Sequence, residues 1–241
     1  YDPMIAKLIV WGADRTQALA RMSQALAEFQ IVGLATNIAF LKRLIEGAAF
    51  SSADLDTGLI ERNSDSLFPK ARAAPVGALA LAAVALIGEE TGASAAASAN
   101  PSDPWGNARG WRLNSAYERK LSFADEYTAN TDTKEYSVGL TYHAAGWHLE
   151  VGGVDAELSV TARSGSEISI KLGATSIHGA VRRDGDTFHV FTGGRHFTLA
   201  YNDPMAHAGE AEAAGGRLTA PMPGKVVAVL AKAGQEVKKG D

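Results

Sequence analysis

The spacing of apolar residues changes along this chain, and each change predicts a different kind of element. Ile5 to Trp11 (IAKLIVW) is a short, mostly apolar, β-rich run that stops at Gly12, so it reads as a strand. Asp14 then opens an amphipathic helix as its N-cap, running to about Glu28. Its apolar positions Ala18, Leu19, Met22, Leu26 and Phe29 recur at spacings of three and four, with Arg15, Gln17, Arg21, Gln24 and Glu28 on the other side. A second strand, Ile31-Val32-Gly33, precedes Thr36-Asn37, which caps a helix with Ile38, Phe40, Leu41, Leu44 and Ile45 as its buried stripe; Gly47 ends it. From Pro75 to about Glu90 the pattern predicts a different helix, with proline in its first turn and Gly92 after its end. Val76 to Ile87 (VGALALAAVALI) is apolar on every face, and a helix without a polar stripe has to be surrounded rather than docked on one side. That run is shorter than the roughly 20 residues needed to cross a bilayer, so it reads as a core element and not a membrane span.

Beyond it the period drops to two. Glu135 to His143, Trp147 to Val151, Val154 to Thr161, Glu167 to Leu172, Ser176 to Val181, Thr187 to Thr192 and Arg195 to Tyr201 are each short and alternating. Ala145-Gly146, Gly152-Gly153, Arg163-Ser164-Gly165-Ser166, Asp184-Gly185-Asp186 and Gly193-Gly194 separate them as hairpin turns. Tyr136, Val138, Leu140 and Tyr142 oppose Ser137, Gly139, Thr141 and His143, so one face is apolar, as an up-and-down antiparallel meander requires. Seven or so such strands can curl into a barrel with no exposed edge. The fold class is therefore α+β, with the meander closing around the apolar helix, because each alone would leave its apolar side wet.

Composition narrows the partners. The 241 residues are 46% apolar, enough for a real core, and 23 Lys and Arg against 27 Asp and Glu leave no basic field for a phosphate backbone. Nucleic acid is excluded on that ground. The lack of cysteine removes disulfides, thiolate nucleophiles and Cys-based metal sites. Tyr1 is not an initiator Met and no basic, then apolar, leader follows it, so the chain reads as cut at its start, with a cytoplasmic location, or the mitochondrial matrix in a eukaryote.

Four motifs in order over the first 60 or so residues resemble the end of a biotin carboxylase domain: Tyr1 to Leu8, Gly12 to Ala18 with Arg15, Gly33 to Asn37, and Asp56-Thr57-Gly58-Leu59-Ile60-Glu61, with Leu59 where Phe is usual. At the other end, Ala220-Pro221-Met222-Pro223-Gly224-Lys225-Val226, with Lys232-Ala233-Gly234-Gln235-Glu236-Val237 and Gly240-Asp241, resembles the opening strands of a biotinyl carrier domain. A helix and barrel between two such segments is similar to the mediator domain of acyl-CoA carboxylase α subunits. Gly110-Trp111-Arg112-Leu113-Asn114, preceded by Asp103-Pro104-Trp105, leans toward the 3-methylcrotonyl-CoA branch, ahead of the propionyl- and geranyl-CoA branches. On this resemblance residues 1–62 are the carboxylase end and 63–203 the mediator, with its helix at about 75–91, docking loop at about 92–113 and barrel at about 114–202. Residues 204–216 are a tether and 217–241 the start of the carrier.

The resemblance implies a ligase: the complete subunit uses ATP, Mg and bicarbonate to carboxylate biotin, and a separate carboxyltransferase β subunit passes the carboxyl group to an acyl-CoA. The biotinyl Lys is expected beyond Asp241, and this stretch alone should be inactive. Its implied work is docking, through Pro104, Trp105, Trp111 and Arg112, and tethering, through the small, aperiodic run from Asp203 to Gly216. Trp105 and Trp111 could equally plug the open end of their own barrel. Asp2 is a candidate for an interface between α subunits, or a structural strand residue. Among six His, His143 and His148 flank the Gly146 hairpin, and His189 and His196 the Gly193-Gly194 turn, but nothing gathers a third ligand, so they read as solvated outer-face residues. Two readings of other classes stay open: a β-barrel module holding an apolar ligand, which a helix filling the barrel would rule out, and a periplasmic adaptor with a lipoyl-like hairpin.

Overall fold

The computed structural model describes residues 4–69, 73–97, 110, 112, 114–125, 134–143 and 145–203. Asp2, Pro104, Trp105, Trp111, the tether and the carrier-like stretch lie outside the described residues.

The first part is helical. Helix α1 spans Arg15–Glu28 and starts where predicted: Asp14 is extended and its carboxylate accepts from the Gln17 N–H at 2.8 Å. Helix α2, Ile38–Glu46, starts at Asn37, but Asn37 sits at φ −97°, ψ 15° and its side chain makes no cap bond, so the predicted cap does not form. One-turn helices follow at Ala48–Ser51 (α3), Leu59–Arg62 (α4) and Ser64–Leu67 (α5). Arg15 explains its place in the motif: its guanidinium donates to the Ser51 carbonyl at 3.2 Å and the Phe50 carbonyl at 2.5 Å, holding the end of α3 against α1. Leu59, at the position where the motif usually has Phe, is buried at 6% exposed.

Both strands expected in this part are absent. Residues 4–11 carry no regular element and Ile5, Ile9 and Trp11 are exposed, because a strand needs a neighbour's ladder and all eight strands among the described residues belong to the barrel. At Gly33 the backbone turns to φ +85°, which a strand cannot accommodate.

Helix α6 spans Val76–Ala97, six residues longer than the pattern suggested. Gly92 does not stop it, because its φ is not among the positive ones and Ala-rich sequence follows, a strong helix former. At Val76–Ala93 the helix is long and apolar enough to cross a membrane by length and composition, contrary to the count from the shorter run. Its surroundings are strands: Ala78 to Ile87, ten consecutive residues, are all at most 5% exposed, which only enclosure on every side produces.

The enclosing sheet is a closed antiparallel barrel in sequence order: β1 Glu118–Asp125, β2 Lys134–His143, β3 Gly146–Val151, β4 Val154–Ser164, β5 Glu167–Leu172, β6 Thr175–Asp184, β7 Thr187–Thr192 and β8 Arg195–Asn202. The seven alternating runs are β2 to β8. The eighth, β1, was hidden in ERKLSFAD, where only Leu121, Phe123 and Asp125 point inward and charges surround them. It closes the barrel by pairing Phe123 with Tyr201. Inside, Phe123 meets Phe188 edge-on at 5.9 Å and Tyr201 at 5.6 Å. Gly179 of β6 leaves a notch for the helix: a Cβ there would lie 2.7 Å from Leu81 Cδ1. The interior is filled by α6, which overturns the reading of a hollow, ligand-holding barrel.

Candidate docking face at the mouth of the barrel

The chain enters the barrel at one end and leaves it at the other. At the entrance the Ala74 N–H donates at 2.9 Å to Asp125, whose carboxylate is 1% exposed and so needs its partners. At the exit, the mouth, the first acidic residues of α6 meet arginines from the rim. Glu89 pairs with Arg183 at 3.1 Å, and Arg183 in turn lies 3.6 Å from Asp186. Glu90 takes Arg119 of β1 in a two-pronged pair, one arm at 2.7 Å. That carboxylate holds the Arg119 guanidinium yet more firmly charged than usual. Arg163 crosses the helix where Gly88 has no side chain; any Cβ there would collide with its guanidinium. The ion pairs fix the depth of α6, since sliding it by one turn would part both.

Beside them lies an aromatic rim. Tyr117 and Tyr142 stand 4.9 Å apart, and Tyr142 meets Trp147 edge-on at 6.0 Å. Burial raises the Tyr142 pKa against the opposing pull of Arg119. The Tyr142 N–H donates to the Tyr117 carbonyl at 2.9 Å. Trp147 Nε1 is buried and has no hydrogen-bond partner among the described residues. Arg112 stacks over the Tyr117 ring at 4.9 Å from its centre. Of the four predicted contact residues, Arg112 is the one the structure describes, and its guanidinium is engaged at home. The sequence reading missed Tyr117, Tyr142 and Trp147, although Tyr142 was already assigned to an inward face; their gathering depends on β1, which was not recognised.

The described histidines sit on the outer surface and are tied to acids, to a serine or to each other. Glu157 receives His143 Nε2 at 2.8 Å and His148 Nδ1 at 3.1 Å, while His148 Nε2 meets Asp155 at 2.5 Å. His189 Nδ1 and His196 Nε2 are 3.0 Å apart. Among the described residues no group of three or more His, Asp or Glu is arranged to hold a metal ion.

A concavity of about 810 Å³ lies at the entrance end, between α1, α2 and the β7–β8 hairpin, with Leu26, Phe29, Ile38, Phe191 and His196 among its walls.

Comparison with known proteins follows the same division. Residues 1–62 match the family model described as biotin carboxylase C-terminal domain, and residues 75–204 match that of the methylcrotonyl-CoA carboxylase α-subunit BT domain. The mitochondrial methylcrotonoyl-CoA carboxylase subunit α of Dictyostelium discoideum is 32% identical, over all of this chain and 35% of that protein; the Mus musculus counterpart is 29% identical, over all of this chain and 34% of that protein. The propionyl-CoA carboxylase α chain of Homo sapiens is 49% identical over 24% of this chain and 8% of its own length. The chain thus spans about a third of the length of the methylcrotonoyl-CoA carboxylase relatives. With a filled barrel that this BT-domain model matches over more than half of the chain, behind helices that the carboxylase model matches, the chain belongs to the α subunits of biotin-dependent carboxylases, of the methylcrotonyl-CoA carboxylase type.

Proposed function

We propose that this chain is the connector of a biotin-dependent acyl-CoA carboxylase: its barrel docks the carboxyltransferase β subunit, and the run from 204 to 216 tethers the biotin carrier. The assembled enzyme would use ATP, Mg and bicarbonate to carboxylate biotin, and the β subunit would then pass the carboxyl group to 3-methylcrotonyl-CoA, making a C–C bond. The filled barrel carries this reading. With α6 occupying the interior there is no chamber for a substrate inside the barrel, which favours binding and positioning as the barrel's work. No step of ATP or biotin chemistry is routed through the described residues: the biotin-carrying segment would lie at 217 and beyond, outside them.

Topology supports the arrangement. The turns joining β2 to β3, β4 to β5 and β6 to β7 share the mouth with the exit of α6 and the last residues of β8. A docking loop following α6 and a tether following β8 would therefore start from one end, while α1 and α2 meet the β7–β8 hairpin at the other. Pro104, Trp105, Trp111 and Arg112 are the proposed partner contacts, and Asp2 a proposed contact between α subunits. The location would be the cytoplasm of a bacterium or the mitochondrial matrix, the latter in keeping with the names of the eukaryotic relatives.

Replacing Trp105 and Trp111 by Ala in the complete α subunit should reduce its co-purification with the β subunit by about tenfold or more, since buried interface tryptophans commonly carry 2 kcal/mol or more, roughly. Unchanged assembly, in a variant with the wild-type unfolding temperature, would remove the docking role.

A further inference from the structure

Trp111 is flanked on both sides by residues that the barrel rim holds. Gly110, immediately before it, has φ +65°, a conformation glycine adopts without strain and other residues rarely do. Gly110 also lies flat against the rim: a Cβ there would overlap Tyr117 Cδ1 and come within 3.1 Å of Tyr142 Cδ1. Arg112, immediately after Trp111, stacks on the outer partner of that same pair, Tyr117. The two rings cannot part easily, because the Tyr142 N–H is bonded to the Tyr117 carbonyl and Tyr142 is braced from behind by Trp147. Glycine, arginine and two tyrosines thus form a clamp on the chain where it returns from the proposed docking loop.

We infer that this clamp is a positioning device for docking: Gly110 and the Arg112–Tyr117 stack fix the base from which Trp111 is presented to the β subunit. The inference rests on the docking reading above and adds to it. Gly110, Tyr117 and Tyr142 act through Trp111 and need not touch the partner. Holding the base before the partner arrives lowers the ordering cost of binding, so loosening it weakens association without removing any contact residue. No other glycine with positive φ among the described residues sits against two aromatic rings, which makes Gly110 a selective handle.

The test uses the complete α subunit and its β subunit, with Gly152→Ala as control. Gly152 also has positive φ (+58°), but a Cβ there would meet nothing within 4 Å, so the control reproduces backbone strain without touching the clamp. In the α subunit alone, hydrogen exchange of the Tyr142 amide should speed up by about tenfold in Gly110→Ala and stay unchanged in Gly152→Ala. Affinity for the β subunit should fall by about tenfold in Gly110→Ala alone. Wild-type affinity in Gly110→Ala, with Trp111→Ala impaired, overturns the clamp and leaves docking standing. Wild-type affinity in Trp111→Ala overturns the part of Trp111 in docking, and the exchange rate then judges the clamp separately. Should Gly110→Ala unfold at a lower temperature than the control, Tyr117→Leu takes its place: it removes the ring under Arg112, and unchanged affinity for the β subunit in that folded variant also overturns the proposal.

Discussion

Glu157 holds two histidines of neighbouring strands at once, His143 and His148, and it sets how His148 titrates. The hydrogen bond to Glu157 is the main cause of a raised His148 pKa, and the same bond lowers the pKa of Glu157. A raised histidine stabilises the fold fully below its ordinary value of 6.5, and that contribution is lost as the pH rises through the folded value. The lowered Glu157 contributes above its ordinary 4.5 and loses its effect as the pH falls through its folded value, so the pair is strongest between the two. His196 behaves oppositely. Its edge meets solvent, but its faces are covered by Phe191 at 4.4 Å and His189 at 5.2 Å; desolvation first and His189 second bring its pKa down to about 4. Its stabilising effect is present above 6.5 and fades as the pH falls toward 4. Ring-proton NMR should therefore show His148 charged and His196 neutral near pH 5.5, and Glu157→Gln should bring His148 back toward 6.5. An unmoved His148 would sever that link. The positions of these histidines beside their hairpins, and with them the His189–His196 pair, were legible in the sequence; the acid that holds His143 and His148 was not, because Glu157 lies on a third strand.

Helix α6 was the most legible element, since ten apolar residues in succession leave no face for water, and enclosure follows from that alone. Its far end was not legible: Gly92 looks like a stop, and nothing local says that Glu89 and Glu90 will be met by Arg183 and Arg119 from distant strands. The strands at Ile5–Trp11 and Ile31–Gly33 failed for the complementary reason, that apolar β-rich residues make a strand only beside a neighbour. Leu81, fully buried and seated in the Gly179 notch, tests the packing. Leu81→Ala should cost about 2–5 kcal/mol in denaturant unfolding, the usual range for a buried leucine with a cavity left behind. A loss under about 1 kcal/mol would mean that the helix is loosely held.

The barrel presents two different ends. At its entrance end the β7–β8 turn meets the carboxylase-like helices: a Cβ at Gly194 would lie 3.2 Å from Lys42 Cε and 3.3 Å from Ala27 Cβ, while Gln30 donates to Glu167 at 2.9 Å. Its mouth carries the arginine and tyrosine rim. Gly194→Leu should wedge this joint apart, raising hydrogen exchange in α1 and α2 while β1 to β5 exchange as before; equal exchange throughout would show that the joint bears no strain. Hairpins and amphipathic helices could be read directly from the residues, because a period of two or 3.6 and a glycine turn are properties of neighbours in the chain. So could the need to sheathe the apolar helix. Closure of β8 on β1, the direction in which the helix threads the barrel, the clamp around Gly110 and the joint at Gly194 were set only by folding, because each joins side chains far apart in sequence, and no local period records which distant groups will meet.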